Sequence, residues 1–137
     1  VQTRVEGNVE QLMIDVRVPW LIRQLAKRMD YGVGKAVSTI SQDSDVIRNT
    51  QEFPTMKPRL VTVVVGQPGW QEVPGPGGKH LLARVAWDGA VLVTEAKTLA
   101  GEPLPTQRRW IDAESGEMMV STVTSTGEEV LRVFARQ

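Results

Sequence analysis

The chain has 137 residues, enough for one domain around a single core and too few for two ordinary ones. Sixteen Lys and Arg cancel sixteen Asp and Glu, so the basic surplus that a nucleic-acid partner would demand is missing. No cysteine is present, which excludes disulfide scaffolds and thiolate metal sites, and no apolar run approaches the roughly 18 residues of a membrane span. The start carries no signal-peptide pattern, and one soluble domain over residues 1–137 is the expectation.

From the start, residues 8–29 have a helical texture. Leu12, Met13 and Val16, then Trp20, Leu21 and Leu25, recur at spacings of three and four. Pro19 interrupts the run and is tolerated only in a first turn, so the spacing predicts two short helices, about 9–16 and 19–28, joined at Arg17-Val18. Asn8 is the expected N-cap, with Gln11 three residues on. From Lys35 onward the sequence alternates or is β-branched, with turn signals at short intervals. The expected strands are Ala36–Ser41, Val46–Phe53, Leu60–Gly66, Leu81–Trp87, Ala90–Leu99, Gln107–Ala113, Met118–Ser125 and Glu129–Ala135. Asp88-Gly89 supplies the tightest hairpin signal, and any strand in the proline- and glycine-rich stretch 68–78 has to be short. One short strand, two helices and eight or nine antiparallel strands fit a barrel or a sandwich. A closed barrel removes the exposed edges of so long a meander and can hold one small ligand.

The closing stretch Leu131-Arg132-Val133-Phe134 carries the sharpest functional signal. In an extended strand Arg132 and Phe134 project to the same face. If that face is the inside of a barrel, Arg132 is a buried cation, and an anion should visit it.

The order of these segments resembles the intracellular lipid-binding proteins, the fatty-acid-binding and cellular retinoid-binding family, over nearly the whole chain. Glu6-Gly7-Asn8-Val9-Glu10-Gln11-Leu12-Met13 looks like that family's first strand entering its first helix, and Val18-Pro19-Trp20-Leu21-Ile22-Arg23-Gln24-Leu25-Ala26 its second helix. Ile40-Ser41-Gln42-Asp43-Ser44-Asp45 is similar to its second strand and turn, Trp87-Asp88-Gly89-Ala90-Val91-Leu92-Val93 to its mid-barrel hairpin, and Arg132-Val133-Phe134 to its Arg-x-Tyr motif. The resemblance implies a mainly β fold: a ten-stranded antiparallel up-and-down β-barrel, the clam, with a helix-turn-helix lid over about 9–28. It also implies a cytoplasmic, monomeric, non-catalytic carrier of a fatty acid, retinoid or similar amphiphile, with no cofactor. The family usually holds the ligand carboxylate with two arginines and a tyrosine. Here Arg132 takes one arginine position, Phe134 the tyrosine position, and Arg109 fits the other arginine best, with Ile111 on its face and Arg108 and Trp110 outward. Three departures stand out: the family's opening Gly-x-Trp is missing, Phe134 has no hydroxyl, and the loop 66–78 matches poorly.

Arg132 and Arg109 are therefore expected to clamp a carboxylate, the alternative being exposure to solvent or pairing with Glu95 or another internal acid. Phe134 is expected to wall the ligand. Met13, Val16, Trp20 and Leu21 are candidates for contact with a hydrophobic tail at a portal, as against plain packing of lid on barrel. Thr39, Leu60, Thr62 and Val64 from the early strands, with Val93, Met118, Val120 and Thr122 from the later ones, are the expected interior, making a partly wet cavity. Arg17, Arg23, Lys27 and Arg28 make the lid basic, which suits transient contact with an anionic membrane, as against an ordinary solvated face. Enzyme signals are poor. His80 is the lone histidine and follows a Gly-Gly-Lys turn; the first glycine of a phosphate loop would fall on Val73, and no Gly-x-Ser-x-Gly is present. The rival to the carrier is a divergent barrel that serves as a protein-interaction domain without a lipid.

Overall fold

Ten antiparallel strands and two helices make up the chain in the computed structural model, which describes residues 1–54 and 56–137. In order they are β1 Gln2–Glu6, α1 Val9–Asp15, α2 Trp20–Arg28, β2 Val37–Asp43, β3 Val46–Glu52, β4 Arg59–Val64, β5 Gln71–Pro74, β6 His80–Asp88, β7 Val91–Thr98, β8 Pro103–Ile111, β9 Met118–Val123 and β10 Glu129–Phe134. Sequential strands pair as a meander except at β1/β2 and β4/β5, and β1 returns to pair with β10, so the hydrogen-bonded orders are β1-β10-β9-β8-β7-β6-β5 and β2-β3-β4. Short bridges join the two sheets. On one side the Gln2 amide donates to the Ala36 carbonyl at 2.9 Å and Gly34 donates to the Gln2 carbonyl at 2.7 Å. On the other, the side-chain amide of Gln71 stands in for a backbone, accepting from Val64 N and donating to Val64 O, both at 2.8 Å. These bridges close the meander into a barrel and occupy edge groups that would otherwise invite another strand.

The helix boundaries follow from proline and capping chemistry. Asn8 Oδ1 accepts from Gln11 N at 3.0 Å, as its spacing predicts. Pro19 is extended (ψ 148°), so α2 begins one residue later, at Trp20. Between the helices Arg17 takes φ 67°, and Val18 N–H donates back to Met13 O while Arg17 N–H donates to Ile14 O, a Schellman closure with arginine where glycine is usual. Val18 is buried, yet neither α1 nor α2 contains a fully buried residue. In the mid-barrel hairpin Asp88 pairs with Val91, so Gly89-Ala90 rather than Asp88-Gly89 forms the two-residue loop, with the positive φ on Gly89.

Apolar packing concentrates where β3 to β7 meet, in a cluster of Ile47, Val63, Val65, Val73, Ala83, Val85 and Leu92. This fixes the inward face of β4 as Arg59, Val61, Val63 and Val65, the opposite phase to the one expected. Leu60, Thr62 and Val64 are exposed. Registers carry the correction across the small sheet. Thr39 pairs with Thr50, on the outer row, whereas Ser38 pairs with Gln51 and Ile40 with Asn49 on the inner one. Val93 likewise pairs with exposed Arg108 rather than with Arg109.

Gly7 joins β1 to α1 at φ 101°, and a Cβ there would sit 2.2 Å from the Glu129 carbonyl oxygen. Gly101 has a similar φ of 92° but open space around it. Gly7→Ala is therefore expected to cost ~2–3 kcal/mol or more, and Gly101→Ala only ~1 kcal/mol, in urea denaturation.

Candidate ligand-binding site

Three strands aim arginines at the barrel interior. Arg132 on β10 and Arg109 on β8 both pair in register with Val120 of β9, so they lie on one row two strands apart, roughly 10 Å at the backbone. Arg59 opens β4 on the other sheet, in the phase of the buried Val63 and Val65. Each rests on a glutamine carbonyl. Arg132 Nε donates to Gln2 Oε1 at 2.9 Å, Arg109 Nη2 reaches Gln107 Oε1 at 3.4 Å, and Arg59 Nη2 donates to Gln51 Oε1. Gln2 is completely buried and is held by its own donation to Tyr31 O at 3.1 Å. Phe134 is buried beneath the Arg132 guanidinium, 5.0 Å from ring centroid to charge, a cation–π contact where a hydroxyl would have been a donor.

None of the three is neutralised. Among the described residues the ion pairs are Arg4–Glu6, Arg17–Glu102, Arg23–Glu10, His80–Glu72 and Arg84–Glu95. Glu95, the acid considered as a partner for the clamp, is thus engaged by exposed Arg84. Arg109 Nε is buried with no hydrogen-bond partner. Burial pulls the Arg109 guanidinium down to about 10. Arg132 is pulled to about 10, first by burial and then by the charges of Arg109 and Arg59, and burial lowers Arg59 as well. Arg132 and Arg109 share a register row on the large sheet, and Arg59 opens a strand of the small one.

Of the other expected site residues, Met118 lies in register with Ile111 and Phe134, on the arginine face, and Val120 and Thr122 line the same face. Arg108 is exposed, as its parity requires. Thr39 and Thr62 are on the outer surface and do not join the site. In the lid Met13 and Val16 are half-buried, whereas Trp20 and Leu21 are 64 % and 72 % exposed. Arg23 does not belong to a free basic face: it binds Glu10 of α1 at 3.1 Å and Val18 O at 2.8 Å, while Lys27 and Arg28 are exposed. A cleft of about 510 Å³ opens between the helix linker and the strand turns, lined by Val16, Arg17, Pro76, Leu81, Leu99 and Leu104 among others. Sequence reasoning passed over Arg59 and all three glutamines. Arg59 and Gln51 share the face of Ile47 and Asn49 through the register of β3 with β4, which no single strand's pattern displays.

Solved structures share this architecture. A REP1-NXSQ fatty acid transporter with a tyrosine-to-phenylalanine substitution superposes with a TM-score of 0.80 at 18 % identity, over 99 % of this chain and 93 % of that one. The apo crystal structure of Caenorhabditis elegans lipid binding protein 8 gives 0.79 at 14 %, over 99 % and 91 %. Human cRBP IV gives 0.74 at 17 %, over 99 % and 93 %. The fold is that of the intracellular lipid-binding barrels. No family model and no curated protein sequence matches the chain.

Because an unfolded arginine holds its proton more tightly than Arg109 does here, the charged Arg109 opposes folding at every pH below about 10, and the penalty fades only as pH rises through that value. Arg109→Met is accordingly expected to stabilise the ligand-free protein by ~1–3 kcal/mol at pH 7 in urea denaturation. A destabilised variant would overturn the picture of an uncompensated cation.

Proposed function

We propose that the protein is a non-catalytic carrier that encloses a fatty acid or similar amphipathic anion, its head at Arg132 and Arg109 and its tail running toward the lid. The single observation that supports this most is the pair of inward arginines on one register row with no carboxylate partner. A buried cation left unpaired is costly, and a bound anion offsets that cost through charge-assisted hydrogen bonds. Phe134 contributes a face to the guanidinium instead of a hydroxyl to the ligand. Met118, Val120 and Thr122 supply the adjoining wall, and the cleft beside Pro76 and Val16 gives the tail a way in. Each buried methylene contributes ~0.8 kcal/mol, so tail length sets affinity more than the clamp does.

Delivery to an anionic membrane is the second element of this reading, favoured by the exposure of Trp20 and Leu21 beside Lys27 and Arg28. Arg23 is excluded from it by its bonds to Glu10 and Val18.

Titrating delipidated protein with saturated fatty acids and retinoids tests the carrier. Micromolar or tighter binding is expected, weakening about tenfold or more in Arg132→Ala and Arg109→Ala, a loss of ~1.4 kcal/mol or more, and unaltered by Thr62→Ala. Failure of every amphiphile to bind the folded protein would favour an interaction domain instead. For delivery, transfer of a fluorescent fatty acid to vesicles is expected to accelerate with phosphatidylglycerol content, and to lose that dependence when Lys27 and Arg28 become glutamine.

A further inference from the structure

Three inward cations exceed the single charge of a carboxylate by two. We infer that the head group this site takes is a phosphate monoester dianion on an aliphatic tail: guanidiniums arriving from β4, β8 and β10, each resting on a glutamine carbonyl and none on a carboxylate, match three non-coplanar oxygens that share two negative charges. This rests on the carrier reading and specifies its ligand.

Charge and shape argue the same way. A single carboxylate among three arginines leaves two positive charges uncompensated in the interior; a dianion leaves one. A carboxylate presents two oxygens in one plane with a single charge between them. A phosphate monoester presents three oxygens arranged as a tripod, so each arginine can address its own. The arginines come from different walls: Arg132 and Arg109 sit two strands apart on the large sheet, and Arg59 is on the small one. Their held donors point to the same conclusion. Each glutamine engages one N–H group of its arginine and leaves the others for a ligand, and it does so without cancelling charge. Arg109 Nε is buried and unpartnered, a donor that an additional oxygen would satisfy. Phe134 offers no proton, so the only donors facing a head group from β10 are those of a fixed cation, which suits a fully ionised acceptor.

The test compares three probes with one sixteen-carbon tail: palmitate, hexadecyl sulfate and hexadecyl phosphate, titrated into delipidated wild-type and Arg59→Gln protein from pH 5 to pH 8. Sulfate has the tripod with one charge, so it separates shape from charge. At pH 8 hexadecyl phosphate is expected to bind at least tenfold more tightly than either of the others. That advantage is expected to shrink toward the sulfate value below about pH 6, where the second phosphate charge is lost. Arg59→Gln is expected to reduce phosphate affinity more than tenfold and palmitate affinity by a much smaller factor. Palmitate binding as tightly as the phosphate at pH 8 would overturn the inference while leaving the carrier intact. An equal loss for both ligands in Arg59→Gln would also overturn it. If no probe binds the folded wild type, the carrier reading fails and this inference with it. Should Arg59→Gln not fold, the wild-type comparison and its pH profile still decide.

Discussion

Three guanidiniums face the inside of this barrel without a carboxylate among them, and most of the remaining design can be understood as what makes that tolerable. Neutral glutamine carbonyls hold the arginines in position but do not discharge them. A carboxylate at Gln2, Gln51 or Gln107 would form a better-stabilised apo protein and a poorer anion site, because the ligand would compete with a resident charge. The destabilisation stored in the arginines is offset by apolar packing elsewhere, in the cluster that joins β3 and β4 to β5, β6 and β7. The apolar cluster and the arginines meet at β7 and β8, where Leu92 pairs with Arg109.

Charge is segregated by wall rather than by composition. The protein is formally neutral, with sixteen charges of each sign, yet every ion pair among the described residues involves neither Arg59, Arg109 nor Arg132. The acids pair outside, or between the helices in the case of Glu10. A positive interior inside an exterior left with thirteen basic and sixteen acidic residues favours an anion only after it has entered the low-dielectric space, where each contact is worth more than it would be on the surface. Overall charge therefore says nothing about the ligand, while the parity of three strands says a good deal.

How much of this was legible in the sequence depends on whether a strand's inner face is apolar. In β8 and β10 the inward rows, Arg109-Ile111 and Arg132-Phe134, combine arginine with a bulky apolar residue; alternation put Arg132 and Phe134 on one face, and the family resemblance singled out Arg109 with Ile111. In β4 every residue from Leu60 to Val65 is apolar or β-branched, so periodicity carries no phase. Hydrophobicity then favours Leu60 over Arg59 as the inward residue, and the structure has the reverse. The phase is set by register with β3, itself fixed by the tight turn at Ser44-Asp45, and no single-strand pattern contains that information. Gln2, Gln51 and Gln107 were invisible for a related reason: glutamine reads as surface, and its burial here makes sense only once the arginine beside it is known. Thr39 and Thr62 failed by the same one-residue slip, which exchanges the two faces of a strand entirely. The lid was legible because proline and an N-cap act locally; which of its side chains would be exposed was not.

The lid itself is attached in a manner that suits a gate. Neither helix buries a residue fully, so little hydrophobic energy opposes its movement. It is held by surface latches instead. Asp15 accepts from both the backbone and hydroxyl of Ser125, at 2.7 and 2.8 Å, and Arg17 pairs with Glu102 at 2.9 Å. Bonds of this kind exchange readily with water, and exposed ion pairs contribute ~0–1 kcal/mol each. Arg23, by contrast, binds Glu10 and Val18 O, and so keeps α1, the linker and α2 together as one body. Strong bonds within the lid and weak ones beneath it make a unit that swings open whole, without unravelling, at a cost well below that of global unfolding. In a barrel whose interior is charged, that separation of bond strengths is what would let the arginines be reached without disturbing the sheets beneath the lid.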